Sequence, residues 1–378
     1  MARTLYQANM EKIVSLCKRR GFIFQSSEIY GGLGSTYDYG PLGIELKRNI
    51  RDAWWQRFIQ NRDDMVGIES AILMNPKVWV ASGHADTFTD PLVECKSCHH
   101  RFRADHLETQ SCPDCGSEVT EPRNFNLMFK TYIGPVEDSA SQAYLRPETA
   151  QGIFVNFQNV LTATRKRLPF GIGQIGKSFR NEITTGNFIF RTREFEQMEI
   201  EFFVIPGTDD NWHKQWTDEF MKWFVDLGIR EDRLRLRAHA KEELSHYSKA
   251  TSDIEYSFAW GWGELMGIAN RTDYDLKAHT QHSGVRLDYF DEETHQHIIP
   301  YVVEPALGVD RALLVFLFDA YDEESIMNGS DTRVVLHLHP AIAPVKVAIL
   351  PLSRNPRLVP KAQEIYNFVR RRFATQYD

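Results

Sequence analysis

Apolar residues at Ile13, Val14 and Leu16 lie on a helical spacing and predict an amphipathic helix from about Leu5 to Arg20, stopped by Gly21. Cys17 shares that helix and reads as a core thiol. The stretch GFIFQSSEIYGGLGSTYDYGPLG predicts a short strand and a glycine-rich loop. A second helical pattern follows, carried by Ile44, Leu46, Ile50, Trp54 and Phe58, and then short strands around Met65–Met74. The middle of the chain alternates strands and loops, punctuated at Gly134, Pro147, Gly171, Gly173 and Gly176. Trp212–Leu227 has the pattern of an amphipathic helix over a sheet, and Pro305–Tyr321 that of a buried one. After the turn HPAIAP come a strand, VKVAILPL, and a helix, PKAQEIYNFVRRRF. A βα unit of ~35 residues is too small to close its own core. The pattern therefore predicts a sequence that stops partway into a further domain. No internal repeat or low-complexity stretch is present.

Alternation with a period of two predicts a β-hairpin over Phe179–Glu201. Arg180 and Glu182 then share one face of the first strand, and Gly186 and Asn187 suit a turn with positive φ. One face of the return strand collects Arg191, Arg193, Phe195, Gln197, Glu199 and Glu201. The other holds Phe190, Thr192, Glu194, Glu196, Met198, Ile200 and Phe202. Arginines, an aromatic ring and then carboxylates on one face suit a ligand with a phosphate, a flat ring and a cationic end. The alternative is a solvated antiparallel strand with cross-strand ion pairs.

Composition narrows the classes. With 42% hydrophobic and 25% charged residues the chain has ample core for a globular protein, and 378 residues suggest two or three domains. No apolar run reaches the ~18 residues of a membrane span, and no signal-peptide pattern opens the chain. A net charge of −7 argues against a surface coated for nucleic acid. Arg165-Lys166-Arg167 and Arg370-Arg371-Arg372 are local basic clusters that could meet nucleic-acid phosphates or simply be solvated helix faces. Four of the five cysteines form a CxxC-x13-CxxC pattern: Cys95, Cys98, Cys112 and Cys115. Two such knuckles complete a closed tetrahedral zinc site, structural because no position is left open; His99, His100 and His106 are then spare. That usage fits a reducing cytoplasm. Gly171–Ser178 matches the P-loop pattern GxxxxGK[ST], but a charged, proline-interrupted segment precedes it and no helix follows. The glycines are expected instead to permit tight turns.

FRNE, a loop and RTREF resemble the second signature motif of class II aminoacyl-tRNA synthetases. EPALGVDRALLVF resembles the third, and DYGPLGIELKRNIRDAWW the first, which carries the dimer-forming helix. RPETAQG, FEQMEIEFF, GWGELMGIANRTDYDL and HSG narrow the likeness to homodimeric glycyl-tRNA synthetases, over essentially the whole chain. The resemblance implies an α+β fold: an antiparallel-sheet catalytic domain over residues 1–342, flanked by helices. It also implies a zinc insert at 91–121, an insertion near 206–240, and the start of an α/β anticodon-binding domain at 343–378. It further implies a cytoplasmic homodimer acting on ATP, glycine and tRNA(Gly), with Mg2+ accompanying ATP.

The roles carried over by that resemblance are specific. Arg180 is expected at the α-phosphate, Glu182 at the adenine amino group, Phe195 under the ring, and Arg311 over the adenine near the γ-phosphate. Arg180 and Arg311 are the catalytic pair. The rest of the implied ATP site is Asn181, Phe190, Arg191, Thr192, Arg193, Glu194, Glu264, Leu265, Gly308, Val309 and Asp310, with Glu264 a magnesium ligand. Glu148, Glu199 and Glu304 are expected to cage the glycine ammonium. Arg103, Phe195, Glu196, Gln197, Met198, Pro305, Ala306, Leu307 and Gly308 complete the glycine set. At Ala306 the chain departs from the family, which usually has serine there. A relative that kept the fold and lost the chemistry should lack Arg180, Glu182 and Arg311; all three are present. The unfinished anticodon-binding domain leads us to expect adenylate formation but poor tRNA charging.

Overall fold

The computed structural model describes residues 8–138, 140–245, 247–326 and 331–378. Seven strands form the central sheet: β1 (Met65–Gly67), β2 (Phe170–Phe179), β3 (Glu194–Val204), β4 (Leu234–Ala238), β5 (Ala250–Phe258), β6 (Gly261–Thr272) and β7 (Tyr301–Gly308). Their spatial order is β4-β5-β6-β7-β3-β2-β1, antiparallel throughout except for the parallel β1–β2 pair. The main helices are α1 (Met10–Arg20), α2 (Pro41–Trp55), α3 (Ala150–Phe154), α4 (Phe157–Thr164), α5 (Asp209–Asp226), α6 (Tyr274–Ser283), α7 (Val309–Ala320) and α8 (Val359–Val369); two single-turn helices, Lys77–Ala81 and His84–Thr87, lie between α2 and α3.

Side-chain alternation on β3 sorts the two sheet faces. Met198, Ile200 and Phe202 join Val303 and Leu307 in a core completed by α2, α5 and α7. Phe203 joins Phe170, Ile172 and Val302 in a second core beneath α3 and α4. Phe195, Gln197, Glu199 and Glu201 share the face of Phe203, and from Gln197 onward they are buried among polar neighbours. α7 is apolar almost all round because it is buried all round. α2 starts with Pro41 at its first turn, where a missing N–H costs nothing. Leu46, Ile50 and Trp54 pack inward as the spacing predicts, whereas Ile44 is 40% exposed. Each large apolar side chain fully buried this way contributes about 1.5–3 kcal/mol.

Several expectations need correction. α1 begins at Met10, with the Asn9 side chain accepting from the Lys12 N–H; Leu5 lies outside the described residues. The strand near Met65–Met74 is only Met65–Gly67, and Pro305–Gly308 is the end of β7 rather than the start of a helix. The hairpin over Phe179–Glu201 is two strands ending at Phe179 and resuming at Glu194, joined by a long loop. Backbone partners from elsewhere draw this loop off the ladder: the Asn181 N–H bonds Leu127 O at 2.7 Å and the Arg193 N–H bonds Ser35 O at 3.3 Å. Alternation therefore does not govern Arg180, Glu182, Arg191 or Arg193. Positive φ falls on Asn187 and Phe188 and not on Gly186. The P-loop look-alike is the body of β2, so its glycines make close packing rather than turns. A Cβ on Gly173 would sit 2.2 Å from Ile59, and one on Gly176 would sit 2.1 Å from the Arg146 guanidinium.

Two smaller units flank this body. Thr89–Glu94 pairs with Arg101–Arg103 and with Arg123–Asn126 in a three-stranded sheet that carries the cysteines. Near the C-terminus, Val347–Ile349 and Thr375–Tyr377 pair in parallel around α8, a βαβ unit with one more strand than the apolar pattern suggested.

Candidate active site

A cleft of about 360 Å³ opens on the sheet face shared by Phe195, Gln197 and Glu199 on β3, Gly267 and Ala269 on β6, and Glu304 and Ala306 on β7. Register explains the convergence: Glu199 lies opposite Ala306, and Ala306 in turn opposite Gly267. Small residues at 267, 269 and 306 leave the space that the longer side chains surround.

One end is cationic. Arg180 donates from Nε to Pro147 O at 3.0 Å, and its guanidinium lies 5.3 Å from the Phe195 and Phe88 ring centres. Arg311, in the first turn of α7, donates to Phe190 O at 3.1 Å and to Glu264 O at 3.0 Å, and lies 4.4 Å over the Phe190 ring. It also pairs with the Glu264 carboxylate at 3.1 Å. Arg311, Arg180 and Arg191 together hold the half-exposed Glu264 carboxyl below its ordinary pKa. Glu182, Arg191, Thr192, Gly308 and Asp310 line the same end. Arg193 turns aside to donate to Gly34 O and Glu182 O.

The other end is anionic and buried. Glu148 lies 3.2 Å from His84 Nε2 and accepts from Gln151 at 3.0 Å. Burial alone would raise its pKa, but His84, Arg271 and Gln151 outweigh that and hold it well below the carboxylate range. Glu199 accepts from the Thr149 hydroxyl; burial first, then Glu304 and Glu148, push it up to about 8. Glu304 accepts from Arg271 at 2.5 Å. Arg271, 2% exposed, also makes a two-pronged pair with Asp275 at 2.7 and 2.8 Å and lies 3.9 Å over the Tyr247 ring.

Not every expected residue reaches the cleft. Glu196, Met198, Leu307 and Val309 face the opposite core, and Glu194 pairs with Lys177 on the exposed surface. Leu265 is fully buried, though it borders the cleft, and Asn181 serves the loop through its backbone. Pro305 is buried in β7. Arg103 pairs with Asp90 at 2.9 Å and Asp105 at 2.7 Å in the cysteine-bearing unit, close enough to Glu182 to feel its charge.

Other residues do more than the sequence announced. Arg271, Asp275, Gln151 and His84 organise the anionic end, yet they come from three separate stretches of the chain. Only the four-residue spacing of Arg271 and Asp275 hinted at a pair. Lys47 of α2 is 4% exposed and reaches Asp310 at 3.1 Å and Glu196 at 3.2 Å, while the Tyr39 hydroxyl also donates to Asp310. Asp310 accepts the Glu196 N–H at 2.8 Å as well, so α2, β3 and α7 meet at one buried carboxylate.

The four cysteines converge as their spacing predicts. Cys95 and Cys115 sulfurs are 3.5 Å apart, Cys98 and Cys112 sulfurs 3.6 Å, and all four lie within 4.8 Å of one another. Thiolates about 2.3 Å from one zinc ion sit about 3.8 Å apart at the corners of a tetrahedron, so the donor set fits that metal. Hydrogen bonds led by the Ser117 backbone lower Cys115 to about 6, whereas at Cys98 a His100 backbone hydrogen bond is outweighed by burial and the neighbouring sulfurs, which raise it to about 12.

Comparison with known proteins agrees with this geometry. Residues 129–319 match the family described as tRNA synthetase class II core domain (G, H, P, S and T). The chain is 55% identical to the glycine-tRNA ligase of Thermobifida fusca over 393 residues, covering 98% of this chain and 85% of that one. It is 56% identical over 401 residues to the glycine-tRNA ligase of Caldanaerobacter subterraneus subsp. tengcongensis, covering 98% and 86%. In fold it is similar to prolyl-tRNA synthetase from Cryptosporidium parvum, solved with L-proline and AMP. That likeness has a TM-score of 0.65 at 15% identity, covering 98% of this chain and 63% of the other. By sequence, matched core domain and sheet topology, the chain belongs to the glycine-tRNA ligase family of class II tRNA synthetases.

Proposed function

We propose that the cleft joins glycine to ATP as glycyl adenylate and passes the glycyl group to the 3′ end of tRNA(Gly). One observation carries this: a single cleft has arginines at one end, a buried carboxylate cage at the other, and Phe195 on the wall between. Glycine would place its ammonium among Glu148, Glu199 and Glu304, leaving its carboxylate directed at the arginines. A carboxylate oxygen then attacks the α-phosphorus, the bond to the bridging oxygen breaks, and pyrophosphate leaves. In the second step a ribose hydroxyl at the tRNA end attacks the carbonyl and AMP departs.

The residues' work is positioning and charge. Arg180, fixed by Pro147 O, would meet the α-phosphate, where charge builds in the transition state. Phe195 offers a face for adenine, and Glu182 would accept from the adenine amino group. Arg311 would serve the γ-phosphate and the ring. Its pair with Glu264 means that ATP must share or displace that contact. Magnesium supplies charge neutralisation to the triphosphate when bound, and Glu264 is the carboxylate suited to hold it. The four thiolates would hold a structural zinc ion that folds the insert at 91–121.

We further propose the division into a catalytic body at 1–342 and an anticodon-domain start at 343–378, and a cytoplasmic homodimer built on α2. Among the described residues no helix is long and apolar enough to cross a membrane. Glycine-dependent ATP–pyrophosphate exchange by the purified, folded chain tests the reading. Exchange with glycine that exceeds exchange with alanine and serine supports it; no exchange with any of the three overturns it.

A further inference from the structure

Beneath the ammonium cage lies a carboxyl group with no task in the scheme above. Glu201 sits on β3 two residues beyond Glu199 and on the same face, and it is fully buried. Neither of its oxygens has an N–H or hydroxyl donor within hydrogen-bond reach among the described residues. One oxygen each from Glu199, Glu201 and Glu304 lie within 4.8 Å of one another.

The groups that face Glu201 are few. Among the described residues, those whose charge bears most on it are Glu304 on β7, Arg271 on β6, Glu199 on its own strand and Asp275 on α6. α3, above this face, has no ionisable side chain, and β2 offers Ile172 and Gln174. Gln174 is already engaged, accepting the Ser70 N–H and donating to Thr149 O. Among the described residues the cation that bears on it is Arg271, and its donors are committed to Asp275 and Glu304. An ionised Glu201 would thus be a dehydrated anion among anions. A buried carboxyl in that position keeps its proton, and an adjacent carboxylate is the natural acceptor.

We infer that Glu201 is held as the neutral acid, donates its O–H to Glu304, and so fixes the orientation in which Glu304 meets the substrate ammonium. It is a positioning residue, and the inference rests on the reading of Glu304 as an ammonium ligand. Glu304 has lone pairs enough to accept from Arg271, from Glu201 and from an ammonium together. Burial and then Glu304 push the Glu201 carboxyl well above its usual range; burial also raises Glu304, with Arg271 and a hydrogen bond from Glu201 pulling the other way. A neutral Glu201 adds no charge to the cage above it, so the site presents less charge than its count of glutamates suggests. This limits the attraction of divalent cations to the glycine subsite.

The test compares Glu201→Gln, Glu201→Leu and Glu304→Gln in glycine-dependent exchange from about pH 6 to 9, with thermal melting as the fold check. Glutamine keeps the shape and a donor, so kcat/KM for glycine should stay within about threefold. It cannot ionise, so any alkaline loss of activity caused by Glu201 should vanish. Leucine keeps the volume without the donor and should raise the KM for glycine at least about tenfold, with the KM for ATP unchanged. A folded Glu201→Gln protein that loses more than about tenfold, or a Glu201→Leu protein equal to wild type, overturns the inference. Glu304→Gln separates the two readings. If it leaves the KM for glycine unchanged, the cage itself is misassigned and the inference falls with it. If it raises that KM while Glu201→Leu does not, only the inference falls. Should neither Glu201 variant fold, infrared spectroscopy of Glu199→Gln near about pH 8 decides: a protonated-carboxyl band supports the neutral acid, and its absence overturns it.

Discussion

In the cationic half of the cleft, guanidinium groups rest mainly on main-chain carbonyls: Arg180 on Pro147, and Arg311 on Phe190 and Glu264, with the half-exposed Glu264 carboxylate as an added partner of Arg311. In the anionic half, carboxylates are answered by side chains: Glu148 by His84 and Gln151, Glu199 by Thr149, Glu304 by Arg271. A carbonyl orients a cation without cancelling its charge, so the charge remains available where phosphate charge grows during reaction. Side-chain partners in a buried site set the protonation of each acid instead, which suits a ligand that brings one fixed ammonium. The two halves thus show two ways of presenting charge, one by orientation and one by tuning.

The comparison breaks most severely at Arg271, on which the tuned half depends. Arg271→Met should destabilise the protein by about 3–5 kcal/mol, because it strands the Asp275 and Glu304 carboxylates in a dry interior. Urea unfolding measures this, and a loss below about 1 kcal/mol would show that those acids simply neutralise. In the oriented half the largest effect should come from Arg180→Ala, with kcat for exchange falling about 10²–10³-fold. Lys177→Ala, on the P-loop look-alike, should stay within about threefold in the same assay, as expected for an exposed pair with Glu194.

The third effect is a pH dependence confined to the tuned half. Glu199 lies near pKa 8, so it holds a proton at neutral pH that an arriving ammonium must displace. The KM for glycine should fall as pH rises toward 8, by at most about tenfold per unit, with proton release seen by calorimetry in two buffers. Without glycine the sign is opposite. The folded state binds this proton more tightly than the unfolded chain, so its contribution is full at acid pH and is lost as pH rises through about 8. Glu199→Gln should abolish both trends. The smallest effect sharpens the comparison. Ala306→Ser adds a hydroxyl opposite Glu199 and should lower the KM for glycine by about three- to tenfold, leaving that for ATP unchanged.

Periodicity carried the helices α2 and α7 and the two faces of β3, because burial imposes a repeat that the residues must obey. It failed between Phe179 and Glu194, where loop contacts to Leu127 and Ser35 replace the ladder and leave Arg180 and Glu182 off any strand face. The four-cysteine cluster was legible because each pair is local and its spacing suits one metal ion. The anionic half was half legible. Glu148, Glu199 and Glu304 came through resemblance, whereas His84, Gln151, Arg271 and Lys47 act across distances that no local pattern encodes. Glu196 and Met198 show the converse error, for neighbours of a site residue on a strand point away from it.

The junction of Lys47, Asp310 and Glu196 changes how variation in this chain should be interpreted. Loss of Lys47 on the inner face of α2 touches no expected substrate, yet it would leave Asp310 without its cation and Glu196 with only the more exposed Arg51, at the root of β3 and α7. A tolerance map drawn by distance from the cleft would therefore misplace it. Lesions at Lys47 should group with those at Arg311 and Phe195 in phenotype, and a suppressor that restores them would be sought at Asp310.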